Sequence, residues 1–136
     1  HQYSLLNKKN YSILLLDIDH FKNINDTYGH LVGDQVLNRI GPVLRSNIRE
    51  VDIAARYGGE EFLIIFPNLA SENARIIGER IQQSLKNTDF PIKHALTVSA
   101  GIASNHEKQD LVELLELADE RLYHAKHTGR NRIVYS

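Results

Sequence analysis

Short continuous apolar runs along this chain mark candidate strands. Residues 12–16 form one such run, which is typical of a strand buried on both faces. Residues 53–57 and 62–66 are strand-like runs whose junction contains a pair of glycines, which predicts a hairpin. Residues 97–103 place apolar side chains at every second position and predict another strand, and residues 132–135 predict a final edge strand.

Between these strands, apolar residues recur at the spacing of amphipathic helices. Residues 31–48 have the clearest stripe, which comprises Val32, Val36, Ile40, Val43 and Leu44. A second helix is predicted to start at Ser71 and a third to cover residues 111–125. Residues 21–27 predict a short helix, and residues 1–9 are predicted to form the end of another helix. Gly41 and Pro42 weaken the helix over residues 31–48 and predict a kink.

The predicted elements follow the order strand, helix, two hairpin strands, helix, strand, helix, strand. This order predicts an α/β fold, more specifically an α+β sandwich with a ferredoxin-like βαββαβ core. Its central, mostly antiparallel sheet would be flanked by helices and extended by an extra C-terminal strand. Because such folds serve many functions, the chemistry must be argued from particular residues.

Composition sets broad limits on this chemistry. At 136 residues the chain fits a single domain with its own core. A net charge of −1 gives no general attraction to nucleic acid or anionic membranes, and the absence of cysteine excludes disulfides and thiolate metal sites. No apolar run approaches the roughly 20 residues of a membrane helix. The absence of methionine and the start at His1 indicate a fragment of a longer protein.

The hexapeptide Tyr-Gly-Gly-Glu-Glu-Phe at residues 57–62 carries the most chemical information. Gly58 and Gly59 allow an unusual backbone turn and the close approach of a ligand. The adjacent carboxylates of Glu60 and Glu61 repel each other unless a cation or a proton neutralises them. Two interpretations follow, a polar hairpin tip or a metal site.

Two further carboxylates, Asp17 and Asp19, stand at the end of the first predicted strand. Asp17 follows buried apolar residues, where an unpaired charge would be costly. If Asp17 lies near Glu60, their oxygens suit Mg²⁺, which binds one or two carboxylates together with substrate phosphates. Asp19 is better interpreted as the cap of the following helix.

Polar residues after Asp19 suggest nucleotide binding. The start of a helix at residue 21 would favour a phosphate, and Lys22 would add positive charge. Asn25 could direct its amide at a base, and the Asp34 carboxylate matches the two adjacent donors of guanine. Each of these residues also has a simpler interpretation as a turn or surface polar group.

These motifs, in this order, resemble the GGDEF family of diguanylate cyclases. The resemblance covers nearly the whole chain, although the Asp-x-Leu-Thr-Gly-Leu segment usual in the family is absent from its first residues. It is carried by residues 13–26, Tyr28-Gly29-His30, Gly33-Asp34, residues 56–62, residues 97–103, Ala118-Asp119, Leu122-Tyr123, Ala125-Lys126 and Gly129-Arg130-Asn131.

The resemblance implies a reaction in which two GTP molecules are condensed to cyclic di-GMP with release of two pyrophosphates. The active site would form between the subunits of a transient homodimer. Mg²⁺ or Mn²⁺ would be bound by Asp17, Glu60 and the backbone carbonyl of Ile18, with Glu61 assisting. Glu60 would also activate the attacking 3′-hydroxyl.

The resemblance also implies how the substrate is held. Asn25 and Asp34 match the guanine-reading positions, and Asp34 favours GTP over ATP. Gly58 and Gly59 would let the hairpin lie against GTP. The phosphates would be bound by the backbone near His20 and Phe21 together with Lys22, Lys126 and Arg130. Lys126 and Arg130 are four residues apart, so they would share a helix face if the last turn holds.

A further motif suggests control by the product. Arg49 and Asp52 form an Arg-x-x-Asp motif, with five residues between Asp52 and Gly58. In the family this spacing marks an inhibitory site for cyclic di-GMP, to which Arg80 would add a secondary contact. The alternative is an ion pair at a helix end.

Three functions from different classes follow from these residues. We favour an active cyclase in the cytoplasm. It would reach a membrane only through a segment upstream of this chain, and it would bind no nucleic acid. The second is a catalytically weak receptor for cyclic di-GMP, and the third is a structural or protein-interaction domain. The intact Glu60-Glu61 pair argues against the receptor. The presence of all these polar motifs in the family's order argues against a structural or protein-interaction domain.

Overall fold

One mixed sheet organises residues 10–108 and 110–136, the part of the chain that the computed structural model describes. Its strands are β1 (Tyr11–Ile18), β2 (Ile53–Arg56), β3 (Glu61–Pro67), β4 (Val98–Ser104) and β5 (Ile133–Val134). The α-helices are α1 (Phe21–Tyr28), α2 (His30–Asn47), α3 (Ser71–Asn87) and α4 (Leu111–His127), and a 3₁₀ turn covers Asn105–Glu107. The helix predicted for residues 1–9 lies outside the described residues.

The strands are arranged in the order β2-β3-β1-β4-β5. β1 is antiparallel to both β3 and β4, β2 is antiparallel to β3, and β5 is parallel to β4. The predicted ferredoxin-like core with an extra C-terminal strand is therefore confirmed. Its register brings Asp17, near the end of β1, opposite Glu61, the first residue of β3.

β1 is buried along its whole length because helices cover both faces of the sheet. Leu14, Leu16 and Ile18 share a core with α1, α2 and α3. Ile13 and Leu15 face the other way and pack with Leu114, Ala118 and Leu122 of α4. Two layers of helices thus hold the strand that ends at Asp17.

Some predicted helix details differ from the observed structure. α2 is continuous through Gly41 and Pro42, so the predicted weak point does not end it. α3 begins at Ser71, but its N-cap is Ala70 and no side chain caps it. Among the described residues, no helix has the length and apolar character needed to cross a membrane.

A glycine in β4 sets the distance between the sheet and α4. A Cβ atom at Gly101 would lie 2.1 Å from the carbonyl oxygen of Ala118 and 2.5 Å from the amide nitrogen of Leu122. Both atoms belong to the backbone of α4, which cannot move aside as a flexible side chain can. Gly101 therefore lets α4 lie directly on β4, and α4 carries Lys126 toward the end of β1.

We predict that Gly101→Ala destabilises the domain. Forcing a methyl group against helix backbone should cost about 1–3 kcal/mol or more in free energy of unfolding. Urea denaturation followed by circular dichroism measures this change. Gly59→Ala is the matched control, since no atom lies within 4 Å of its added Cβ. Equal unfolding midpoints for the two variants would contradict the close approach of α4.

Candidate active site

The end of β1 and the tip of the β2–β3 hairpin lie side by side. Asp17 pairs with Glu61 across the two strands, and the amide of Ile18 donates to the carbonyl oxygen of Glu60 at 3.4 Å. The hairpin closes through the amide of Tyr57, which donates to the carbonyl oxygen of Glu61 at 2.8 Å. The antiparallel pairing thus brings together the residues that the sequence predicted as metal ligands.

Asp17 has one satisfied and one unsatisfied carboxylate oxygen. Its Oδ2 accepts a hydrogen bond from Nζ of Lys126 at 2.7 Å. Its Oδ1 is buried and has no hydrogen-bond partner among the described residues. Because a buried polar atom without a partner is costly, this oxygen is a natural ligand for a cation.

Burial, reinforced by neighbouring carboxylates, makes the hairpin carboxylates weaker acids. Burial raises the pKa of Glu60 to about 7; a hydrogen bond with the Asp17 side chain and the charges of Asp17 and Glu61 act in the same direction, and Lys126 opposes them. Burial also raises the pKa of Glu61, with Asp17 and Asp119 adding to the effect. Lys126 thus offsets only part of the negative charge at the junction of β1 and β3.

The donors at this junction fit a hard cation that retains water. Among the described residues, no group of three or more His, Cys, Asp or Glu side chains is arranged as a ready-made metal site. A Mg²⁺ ion does not require one, since it usually keeps several waters and binds few carboxylates plus phosphates. Asp17, with its free buried oxygen, the Ile18 carbonyl and Glu60 are the groups that would hold such an ion.

The predicted guanine-reading residues lie on α1 and α2. Asn25 on α1 has a buried Oδ1 without a hydrogen-bond partner among the described residues. This atom lies against Gly33 on α2, where an added Cβ would be only 1.9 Å from it. Asp34 follows Gly33 directly and is exposed. Glycine is required at position 33 because the Asn25 side chain occupies the space of a Cβ there. The sequence did not predict this requirement, although the motif included Gly33.

The predicted phosphate-binding residues approach the end of β1 from two sides. His20 joins β1 to α1 with a positive φ of 58°, and the buried Phe21 begins the helix. Lys22 is exposed in the first turn of α1, where free N–H groups favour an anion. Lys126 reaches Asp17 from α4.

The expected helical pairing of Lys126 and Arg130 is wrong. α4 ends at His127, so Arg130 lies in the following turn, where its φ is 61°. The amide of Arg130 donates to the carbonyl oxygen of Ala125 at 3.0 Å and closes this turn. The exposed Gly129, with φ of 127°, ends the helix and places Arg130 beyond it.

Asp19 does not cap α1, contrary to the sequence prediction. The N-cap is His20, and no side chain bonds to the start of the helix. The amide of Asp19 donates to the carbonyl oxygen of Thr97 at 3.0 Å, which extends the pairing of β1 with β4 by one residue. The Asp19 side chain therefore bonds to residues near β4 instead of the helix, and only 3% of the residue is exposed.

The Arg49-x-x-Asp52 motif forms an ion pair. Nε and Nη2 of Arg49 donate to Asp52 at 3.1 and 2.6 Å, and Nη2 also donates to the carbonyl oxygen of Pro67 at 2.7 Å. The Asp52 side chain is fully buried, whereas that of Arg49 is 38% exposed. Arg80 from α3 donates to the carbonyl oxygen of Asn47 at the end of α2. These contacts agree with the alternative of a helix-end ion pair and leave one edge of Arg49 accessible.

Comparison with known proteins places this arrangement in a family. The family model described as "Diguanylate cyclase, GGDEF domain" matches residues 1–132. The chain therefore belongs to the GGDEF-domain family, as its motifs predicted.

Individual relatives agree with this assignment. "Diguanylate cyclase A" of Treponema denticola is 42% identical over 133 residues, which are 95% of this chain and 36% of that protein. The GGDEF domain of DgcB from Caulobacter crescentus, solved in complex with c-di-GMP, superposes with a TM-score of 0.89 at 35% identity, covering 97% of this chain and 81% of that one. The active GGEEF domain of a diguanylate cyclase from Vibrio cholerae gives 0.87 at 35% identity, with coverages of 94% and 83%. The chain spans 36% and 28% of the length of two curated relatives that it matches.

We predict that Glu60 titrates near pH 7 in the metal-free protein, against an ordinary value of 4.5. Between these two pH values the folded state holds a proton that the unfolded state has released. The free energy of unfolding should therefore fall as pH rises from about 4.5 to about 7. Carbon-13 NMR of the Glu60 carboxyl group measures the titration, and urea denaturation across the same range measures the stability.

The matched controls for this titration are two Glu→Gln variants. Glu60→Gln should lose its share of the pH dependence, whereas Glu72→Gln, an exposed change on α3, should keep the wild-type slope. A Glu60 titration near pH 4.5 would refute the argument from burial and neighbouring charge.

Proposed function

We propose that this domain condenses two GTP molecules to cyclic di-GMP, each GTP being held by one subunit of a homodimer. The observation that carries the proposal is the meeting of Asp17, with its unpartnered buried oxygen, and Glu60 at the junction of β1 and β3. The unpartnered Asn25 oxygen, which lies against Gly33, the residue before Asp34, adds a polar group suited to a base. The names of the relatives from Treponema denticola and Vibrio cholerae support the same activity.

In the proposed reaction the 3′-hydroxyl oxygen of one GTP attacks the α-phosphorus of the other. The bond from this phosphorus to the oxygen bridging the α- and β-phosphates breaks, and pyrophosphate leaves. Glu60, whose carbonyl oxygen pairs with the amide of Ile18 at the end of β1, takes the hydroxyl proton as the general base. The 3′-hydroxyl of the second nucleotide then attacks the α-phosphorus of the first, which releases the second pyrophosphate and closes the ring.

The remaining site residues orient the substrate and balance its charge. Asn25 and Asp34 hold guanine, while Lys22, Lys126 and Arg130 face the phosphates. A bound Mg²⁺ or Mn²⁺ would neutralise phosphate charge, which is the main requirement in phosphoryl transfer. Gly59 leaves open space at the hairpin tip, where no atom lies within 4 Å of its added Cβ. This space would allow the hairpin to lie close to the nucleotide.

We also propose that cyclic di-GMP inhibits the domain through Arg49 and Asp52, with Arg80 nearby. The exposed edge of Arg49 is suited to a phosphate, because a guanidinium binds oxyanions through several parallel hydrogen bonds. The motif immediately precedes β2, so it is joined to the catalytic hairpin by one short strand. The complex of the DgcB domain with c-di-GMP supports product binding by domains of this kind.

We predict that Glu60→Gln removes at least about 99% of the activity, because general-base catalysis contributes roughly 10²–10⁴-fold. The chain, fused to a dimeric coiled coil, is incubated with GTP and Mg²⁺, and cyclic di-GMP is identified by mass spectrometry. Circular dichroism should show an unchanged fold, and Glu72→Gln should retain activity. A wild-type dimer that binds cyclic di-GMP but forms none would instead establish a receptor.

We predict that Arg49→Ala weakens product inhibition by about tenfold or more, since a hydrogen bond to a charged group contributes about 1.5–3 kcal/mol. The inhibition constant for cyclic di-GMP is measured at fixed GTP. The variant leaves the buried Asp52 without its partner, so its folding must be checked by thermal denaturation. Arg45→Ala, which removes an exposed cation from α2, should leave inhibition unchanged. Unaltered inhibition in Arg49→Ala would reject this site.

A further inference from the structure

Asp19 connects three segments that are distant in sequence. Its Oδ1 accepts a hydrogen bond from the Ser99 hydroxyl at 2.6 Å, and its Oδ2 accepts one from the Thr97 hydroxyl at 2.7 Å. The same Oδ2 accepts from the backbone amide of Asn131 at 2.9 Å. The carboxylate thus joins the end of β1 to the start of β4 and to the turn after α4.

The turn that Asp19 holds has a disfavoured backbone. Arg130 and Asn131 both have positive φ, at 61° and 49°, directly after Gly129 at 127°. Asparagine tolerates this conformation moderately well, but arginine does so poorly, since its side chain offers no local compensation. Two such residues in succession persist only where surrounding contacts fix them. The bond from the Asn131 amide to the buried Asp19 carboxylate is such a contact.

The turn of residues 129–131 carries Arg130, one of the residues proposed to bind the nucleotide phosphates. Arg130 is the residue next to Asn131, and Lys126 stands one turn earlier on α4, where it contacts Asp17. Asp17 and Asp19 are two residues apart at the end of the same strand, which is fixed by pairing on both edges. One strand end therefore supports the metal-binding carboxylate and the turn that carries Arg130.

We propose that Asp19 is a positioning residue that fixes the turn of residues 129–131 and thereby directs Arg130 at the nucleotide phosphates. The inference rests on the proposed function for its ligand, but the contact itself is independent of that function. Asp19 touches neither substrate nor metal in this role. Its removal should weaken recognition of the β- and γ-phosphates and leave recognition of the base unchanged.

The test compares the whole chain with its Asp19→Asn variant. An asparagine side chain has nearly the same shape, but its amide nitrogen cannot accept the hydrogen bonds that the second oxygen accepts. Nitrogen-15 NMR reports the chemical shift and hydrogen exchange of the Asn131 amide. Calorimetric titration in Mg²⁺ reports affinity for GMP and for α,β-methylene-GTP, in which the bond to be cleaved is blocked.

We expect the Asn131 amide to exchange faster in Asp19→Asn. We also expect a loss of about tenfold in affinity for α,β-methylene-GTP, because a hydrogen bond between Arg130 and a charged phosphate contributes at least about 1.5 kcal/mol. Affinity for GMP should not change. Asp89→Asn, the same substitution at an exposed loop position, is the matched control and should behave as wild type. If Asp19→Asn does not fold, Ser99→Ala removes one bond to the same carboxylate and should produce a smaller loss in the same direction.

Two results would overturn the positioning role. The first is an Asn131 amide that is unaffected by Asp19→Asn. The second is an equal change, or none, in the affinities for GMP and α,β-methylene-GTP, because a purely structural residue would not separate them. A wild-type chain that binds α,β-methylene-GTP no better than GMP would instead count against the proposed function, and the phosphate role of Asp19 would fall with it.

Discussion

The pairing of β1 with β3 is the constraint on which the rest of this site depends. β1 is covered by helices on both faces and paired on both edges, so its end has little freedom to move. The register of β3 on β1 sets Glu61 opposite Asp17. A shift of one residue would turn these carboxylates to opposite faces of the sheet and end their interaction. The alternation in β3 opposes such a shift, because Phe62, Ile64 and Phe66 are buried in the core while the residues between them are only half-buried.

The sequence predicted the fold well because its signals are local. Continuous apolar runs and helical stripes reflect the burial of neighbouring residues. The Gly58-Gly59 pair marked the hairpin, although neither glycine adopts the positive φ that such a pair allows. The order of the elements then restricted the topology to the ferredoxin-like βαββαβ arrangement. The lengths of short elements were less predictable, since the final strand predicted for residues 132–135 covers only Ile133–Val134.

The errors at the site share a physical cause, since they depend on contacts between separate elements or on where a helix ends, and neighbouring residues encode neither. Asp19 has the position of a helix cap, yet its bonds go to residues 78, 80 and 112 positions away. The strain at Arg130 depends on where α4 ends, which helical spacing does not give to within a turn. Gly33 and Gly101 are required by contacts with Asn25 and with the backbone of α4. Nothing in the residues adjacent to either glycine indicates these contacts.

The junction of β1 and β3 carries more negative charge than the protein itself neutralises. Lys126 supplies one positive charge against the carboxylates of Asp17, Glu60 and Glu61, so part of the repulsion persists. In the absence of a metal, the balance is met by protonation of Glu60 near neutral pH. A divalent cation would balance the same charge and would keep Glu60 in its ionised form, which is the form of a carboxylate that can accept a proton. The strand register therefore brings buried carboxylates together. Burial first, and then the neighbouring Asp17, raises the pKa of Glu60, and Asp17 keeps a buried oxygen without a partner among the described residues.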